Sequence, residues 1–252
     1  EKFTRYSREG KNQFAISSNQ LQSVTMDSDG NIWIGTADAG MDRINTATGT
    51  RIHYSSNKND STSLSENNVI NIYEDSKKNI WVAVYGGGLN LLNKKSNTFT
   101  RYRHQNSNRT SISSDKVYSI FEDSRNRLWI GTHGGGLNLF NPLTGTFRRF
   151  EYDASNPNGL PSNELYAIGE DDEHNLWIGT ENAGLSIFNL HTEVFNNYLH
   201  DEMDNSSLAN NSIYTAYKDR KGNMWVGTFA GGVNLFNKDY NEFNHYKHTS
   251  SP

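Results

Sequence analysis

Asn79-Ile80-Trp81-Val82-Ala83-Val84-Tyr85-Gly86-Gly87-Gly88-Leu89-Asn90-Leu91 decides the fold, because the chain repeats it. Its tryptophan recurs as Trp33, Trp129, Trp177 and Trp225. With Trp81 these are all five tryptophans of the 252-residue chain, and neighbours are 48 residues apart. A fixed period of this length is the mark of propellers, solenoids and arrays. The repeats run 19–66, 67–114, 115–162, 163–210 and 211–252, after an outer strand and connector at 1–18.

The second repeat shows the plan. Val69 to Tyr73 reads as a strand, rich in β-branched and aromatic residues. Glu74 to Asn79 is a polar turn; the same turn carries Asp29-Gly30-Asn31 and Lys221-Gly222-Asn223 elsewhere, which is hairpin chemistry. Ile80 to Val84 is a second strand, Leu89 to Leu92 a third and Thr98 to Tyr102 a fourth. Four short antiparallel strands per repeat predict an all-β fold, a β-propeller of four-stranded blades. Val69, Ile70, Ile72 and Tyr73 are apolar on both faces of their strand, as a blade with a neighbour on each side requires. The chain is read as one propeller domain or a propeller segment. Glu1 to Tyr6 is a surplus outer strand, and an unpaired edge of that kind invites pairing with a second copy.

Composition narrows the function classes. Mean hydropathy is -0.79, yet 12% of residues are aromatic, which argues against disorder. With 24 Lys+Arg against 28 Asp+Glu, the net charge of -4 gives no basic face for nucleic acid. No cysteine is present, so thiolate and disulfide chemistry are excluded. No apolar run is long enough to span a membrane, so no membrane contact is expected within this chain.

Several recurrent residues are read as structural. Ile16, Leu64, Ile112, Leu160 and Leu208 are single apolar residues in polar connectors, placed to peg each loop over a seam. Gly40, Gly88, Gly136, Gly184 and Gly232 suit hairpins that need positive φ. Asp27, Asp75, Asp123, Asp171 and Asp219 stand once per repeat, too far apart for a glycosidase pair, and suit turn hydrogen bonding. The five tryptophans are expected in the inter-blade core. Neither a metal set nor a cofactor motif is found: His245 and His248 lack a third ligand, and Glu170 to His174 lacks the pattern of a calcium loop.

The motif Asn175-Leu176-Trp177-Ile178-Gly179-Thr180 followed by Gly184-Leu185-Ser186-Ile187-Phe188-Asn189 resembles the two-component regulator propeller repeat. So does Leu128 to Thr132 with Gly136 to Asn141. The resemblance covers nearly the whole chain. It implies the periplasmic sensor region of a bacterial hybrid histidine kinase, one of those that sense glycan fragments and signal as dimers.

Recognition is expected on the face where the second hairpin and the inter-blade connector emerge. There the residue four after each Trp varies, through Ala37, Tyr85, His133, Glu181 and Phe229. A fixed scaffold with changing tips is how a recognition surface is built. The ligand-binding candidates are Tyr85 and Phe229 for stacking on a sugar, with Asp38, His133, Glu181 and Asn182 for hydrogen bonds. The leading expectation is a non-catalytic, ligand-sensing propeller. Its rivals are a protein-interaction scaffold or engineered or excerpted repeat array without a small ligand, and a glycan-cleaving enzyme. The enzyme would require Glu181 to face a second acid at glycosidase spacing.

Overall fold

The computed structural model of the protein describes residues 5–9 and 15–247. Among them all regular structure is strand, twenty in number, sorted into five four-stranded antiparallel sheets in sequence order. These are the blades of a β-propeller. The chain divides into two compact units, Glu1–Ile120 and Phe121–Pro252. Of the expected surplus strand, residues 1–4 lie outside the described residues, and Arg5 and Tyr6 belong to no strand.

In the first unit, β1 (Leu21–Met26) to β4 (Arg51–Tyr54) form one sheet. β5 (Val69–Glu74), β6 (Ile80–Val84), β7 (Gly88–Asn93) and β8 (Thr98–Tyr102) form the next. All of β6 is buried, since it is covered on both faces. Trp33 and Met41 of one sheet pack with Val69, Ile72 and Val82 of the other, so the core lies in the seam between blades. Close approach there needs glycine: a Cβ on Gly35 would stand 2.8 Å from a methyl of Val69. Leu64 and Ile112, the connector pegs, are fully buried.

The outer face of β1 differs. Leu21 (46% exposed), Val24 (63%) and Met26 (68%) face solvent, whereas Val69 and Ile72, the equivalents of Leu21 and Val24 in β5, are buried.

The second unit repeats the seam. It contains β10 (Leu128–Thr132), β11 (Gly136–Asn141) and β12 (Thr146–Phe150), whose sheet is completed by β9 (Val117–Glu122). β13 (Leu165–Glu170) to β16 (Val194–Tyr198) and β17 (Ile213–Lys218) to β20 (Glu242–Tyr246) complete the set. Trp129 packs with Leu165, Ile178 and Phe188, and Trp177 with Ile213, Val226 and Phe243. The last sheet is barer. Trp225 is only partly buried and Val233 is 40% exposed, where Trp177 and Leu185 in the preceding sheet are enclosed. Burial in the core thus applies to Trp33, Trp81, Trp129 and Trp177 but not fully to Trp225.

Candidate functional site: an aromatic and carboxylate rim

Every blade is pinned at its turn end, and four of the five, all but the one with Val84 in place of threonine, are pinned at the hairpin end as well. At one end the turn aspartate accepts the indole N–H of the blade's tryptophan: Asp27 from Trp33 at 2.8 Å, Asp171 from Trp177 at 2.9 Å, Asp219 from Trp225 at 3.0 Å. The other carboxylate oxygen accepts the backbone N–H four residues on, at 2.8 Å in Asp27 and 2.9 Å in Asp171. Burial opposes the charge of Asp27, but the bonds from Asn31 and Trp33 outweigh it and hold the carboxyl below its ordinary value. At the other end the strand-end threonine donates to the hairpin, Thr132 to the Gly136 carbonyl at 2.9 Å and Thr180 to that of Gly184 at 2.8 Å, and Thr180 also accepts the Ala183 N–H at 3.1 Å. The tips therefore project from a fixed frame.

Their backbone partners lie in the connector that enters their own blade, and a bridge reaches the connector of the next. Glu181 N–H donates to the Glu164 carbonyl at 2.9 Å, and Phe229 N–H to that of Ser212 at 2.9 Å. His133 and Glu164 form an antiparallel bridge, as Tyr85 and Lys116 do in the first unit. One geometric slot thus holds Tyr85 with Lys116 and, again, His133 with Glu164.

A β-bulge completes the rim. The pairing register of the first strand slips between Leu165 and Ala167, and again between Ile213 and Thr215. The extra residues are Tyr166 and Tyr214, and a bulge re-aims the side chain that it carries. Their rings stack at 4.9 Å and 14°. His133 lies 6.3 Å from Tyr166, and Phe229 lies 6.0 Å from Tyr214. The second unit therefore carries a continuous row His133–Tyr166–Tyr214–Phe229, with Tyr214 and Phe229 exposed at 51% and 61%.

Charge gathers at one end of this row. His133 Nε2 lies 3.2 Å from Glu181 Oε2, and one ligand atom each from His133, Glu164 and Glu181 all lie within 4.8 Å of one another. Sequence spacing concealed this set, whose members are separated by 31 and 17 residues. The sequence reading found no metal-ligand spacing, and it is the blade seam, rather than local spacing, that brings these three groups together.

The other candidates scatter. Asn182 is turned onto Ser212, whose hydroxyl donates to its side chain at 2.9 Å. Tyr85, in the first unit, meets Tyr118 edge-on at 5.9 Å and the Lys116 ammonium at 5.7 Å. Asp38 is exposed at its own hairpin tip in that unit. Glu164, Tyr166 and Tyr214 were not singled out from sequence. Reading the 48-residue lattice down the start of the first strand, where Tyr118, Tyr166 and Tyr214 align, would have found the tyrosines.

Two other groups carry less. Ser17, His53 and Asp42 have the residue types of a nucleophilic triad. But one imidazole atom, Nδ1, meets both Ser17 Oγ at 2.6 Å and Asp42 Oδ1 at 3.0 Å, whereas a relay needs opposite ring nitrogens. A cavity of about 560 Å³ opens at the turn end of the last two blades, beside Asp172, Lys221 and Trp177. Three of its charged groups are engaged: Asp172 pairs with Lys218 at 2.9 Å, and Lys238 pairs with Glu173.

The two-component regulator propeller model matches residues 15–38, 63–86, 111–134, 159–182 and 207–230, once per blade. Among solved structures, the extracellular domain of a B. thetaiotaomicron protein described as a hybrid two-component system is 25% identical with a TM-score of 0.78, covering 98% of this chain and 31% of its own. Another from that organism, the extracellular domain of one described as a one-component system, is 27% identical with a TM-score of 0.74, covering 92% of this chain and 32% of its own. This chain therefore spans about a third of the length of those relatives. Virginiamycin B lyase of Staphylococcus aureus, 16% identical with a TM-score of 0.67 over 92% of this chain and 71% of its own, shares the fold alone. No curated protein matches the chain. Five matched repeats on five blades make the chain a member of the two-component regulator propeller family.

Proposed function

We propose that the chain is a ligand-sensing propeller of an extracytoplasmic, periplasmic sensor region, and that it takes oligosaccharide on the rim of its second unit. The observation that carries this reading is the row Tyr166–Tyr214–Phe229. Stacked rings whose last two members face solvent offer flat apolar area for sugar C–H faces, while Glu164 and Glu181 stand at its His133 end as hydroxyl partners. Binding there bridges two blades and biases the geometry of whatever modules the chain is joined to. Calorimetric titration with a panel of neutral and acidic oligosaccharides tests it. Tyr214→Ala and Phe229→Ala should each weaken binding by about tenfold, worth about 1.4 kcal/mol, with unchanged Tm. Failure of every sugar to bind supports the interaction-scaffold reading instead.

One observation favours a second reading. Glu164 and Glu181 approach within 4.8 Å, near the roughly 5 to 5.5 Å of a retaining glycosidase pair. Release of reducing sugar that Glu181→Gln abolishes would establish hydrolysis. Binding without turnover leaves the sensor.

A further inference from the structure

We infer that His133, Glu164 and Glu181 form a site for a divalent transition-metal ion of the zinc type. The donor set is one imidazole and two carboxylates, which suits Zn²⁺ and its neighbours, whereas calcium and magnesium prefer oxygen alone. The distance from His133 Nε2 to Glu181 Oε2 is 3.2 Å. A tetrahedral ion with ligands at about 2.0 to 2.2 Å separates any two of them by about 3.3 to 3.6 Å, so this pair is close to the required edge. Glu164 completes the triangle. No separation exceeds 4.8 Å, and rotation about the bonds of its partly exposed side chain closes what remains.

The backbones beneath are fixed. The His133–Glu164 bridge and the bond from Glu181 N–H to the Glu164 carbonyl set three ligands on three strand ends. Ligands on rigid strands give a more defined site than ligands on loops. The electrostatics point the same way: two carboxylates converge on one imidazole, and a doubly charged cation neutralises both. Equivalent slots elsewhere hold Tyr85 with Lys116, and Phe229, so the lattice itself does not require this set. With three protein ligands the ion keeps open positions, the arrangement of a metal that also meets water or a bound molecule.

The inference is independent of the sugar reading, because its probe is the metal alone. Chelator-treated protein is titrated with Zn²⁺ by calorimetry and, separately, with Co²⁺ by visible absorption. One equivalent should bind, with an intense Co²⁺ band of low coordination number. His133→Ala and Glu181→Gln should each weaken binding at least tenfold, and Glu164→Gln similarly. All three side chains are partly exposed, so the variants are expected to fold, which far-ultraviolet circular dichroism verifies. Zn²⁺ should also raise the Tm of the parent protein but not of His133→Ala. Two results overturn the inference: no stoichiometric binding, or binding that all three variants retain, which would assign the metal to other surface histidines. Sugar affinity that is the same with and without Zn²⁺ leaves the metal site standing and separates it from the ligand row.

Discussion

Trp129 Nε1 donates to Asp123 Oδ2 across 2.8 Å, tying the turn that opens its hairpin to strand β10. The ring itself is buried against Phe150 and Phe188. Phenylalanine at this position keeps most of the apolar contact and removes the donor; alanine removes both. Trp129→Phe should therefore cost about 1 to 2 kcal/mol and Trp129→Ala about 3 to 5 kcal/mol in urea unfolding. Trp225→Ala should cost less than Trp129→Ala, because Trp225 is partly exposed.

Asp42 makes a second case for lattice logic. Its equivalents are Asn90, Asn138, Ser186 and Asn234, all buried and uncharged. Asn90 and Asn234 use the side-chain oxygen to accept the N–H of a connector residue, as Asp42 accepts that of Ser17 at 2.6 Å. Asp42→Asn keeps this acceptor and should change stability by less than about 1 kcal/mol, whereas Asp42→Ala strands a donor and should cost about 1 to 3 kcal/mol. Thermal unfolding of the two variants side by side decides it.

Acid sensitivity follows from the same carboxylates. Trp225, then Asn223, hold Asp219 well below its ordinary value of 3.8, and Asp27 and Asp42 are also lowered despite opposing burial. A carboxyl depressed in the folded state stabilises above its unfolded value and loses that contribution as pH falls toward the folded value. Stability should be level above about pH 5 and decline below about pH 4. Asp219→Asn should flatten part of that decline, as unfolding free energies across the range will show.

Gly86 and Gly88 separate strain from collision. Both have positive φ, 74° and 75°. A Cβ on Gly86 meets nothing within 4 Å, while one on Gly88 collides with the carbonyl of Tyr102. Gly86→Ala should cost about 1 to 2 kcal/mol, the usual left-handed penalty. Gly88→Ala should cost clearly more, and equal effects in denaturant would show that the hairpin relaxes freely.

The repeat plan was legible because core physics repeats. Each tryptophan, peg leucine and turn aspartate answers to a packing or hydrogen-bonding need that recurs every 48 residues. The strand bounds Ile80–Val84 and Thr98–Tyr102 follow from local apolar runs and their turns. The rim was legible only in part. His133 and Glu181 stood out because the position after each second strand varies. Glu164 was hidden in a polar connector, and only the seam brings it to them. Tyr166 and Tyr214 were hidden differently: they sit on bulges, where a residue drops out of the alternation that sequence reading relies on.

The uneven burial of the second unit has a dynamic consequence. In repeat architectures stability is close to a sum of unit terms and nearest-neighbour interface terms. Within the second unit the sheet β17–β20 packs on β13–β16, with Trp225 and Val233 left partly open, so it is the segment of that unit that should unzip first. Its amides should exchange with solvent at a lower opening free energy than those of β13–β16. Tyr214 and Phe229 belong to that loose sheet, while Tyr166 and Glu181 belong to the tight one. A molecule lying along the row would clasp the two together. Occupancy would then be recorded as slowed deuterium uptake far from the contact itself, at the outer strand Glu242–Tyr246.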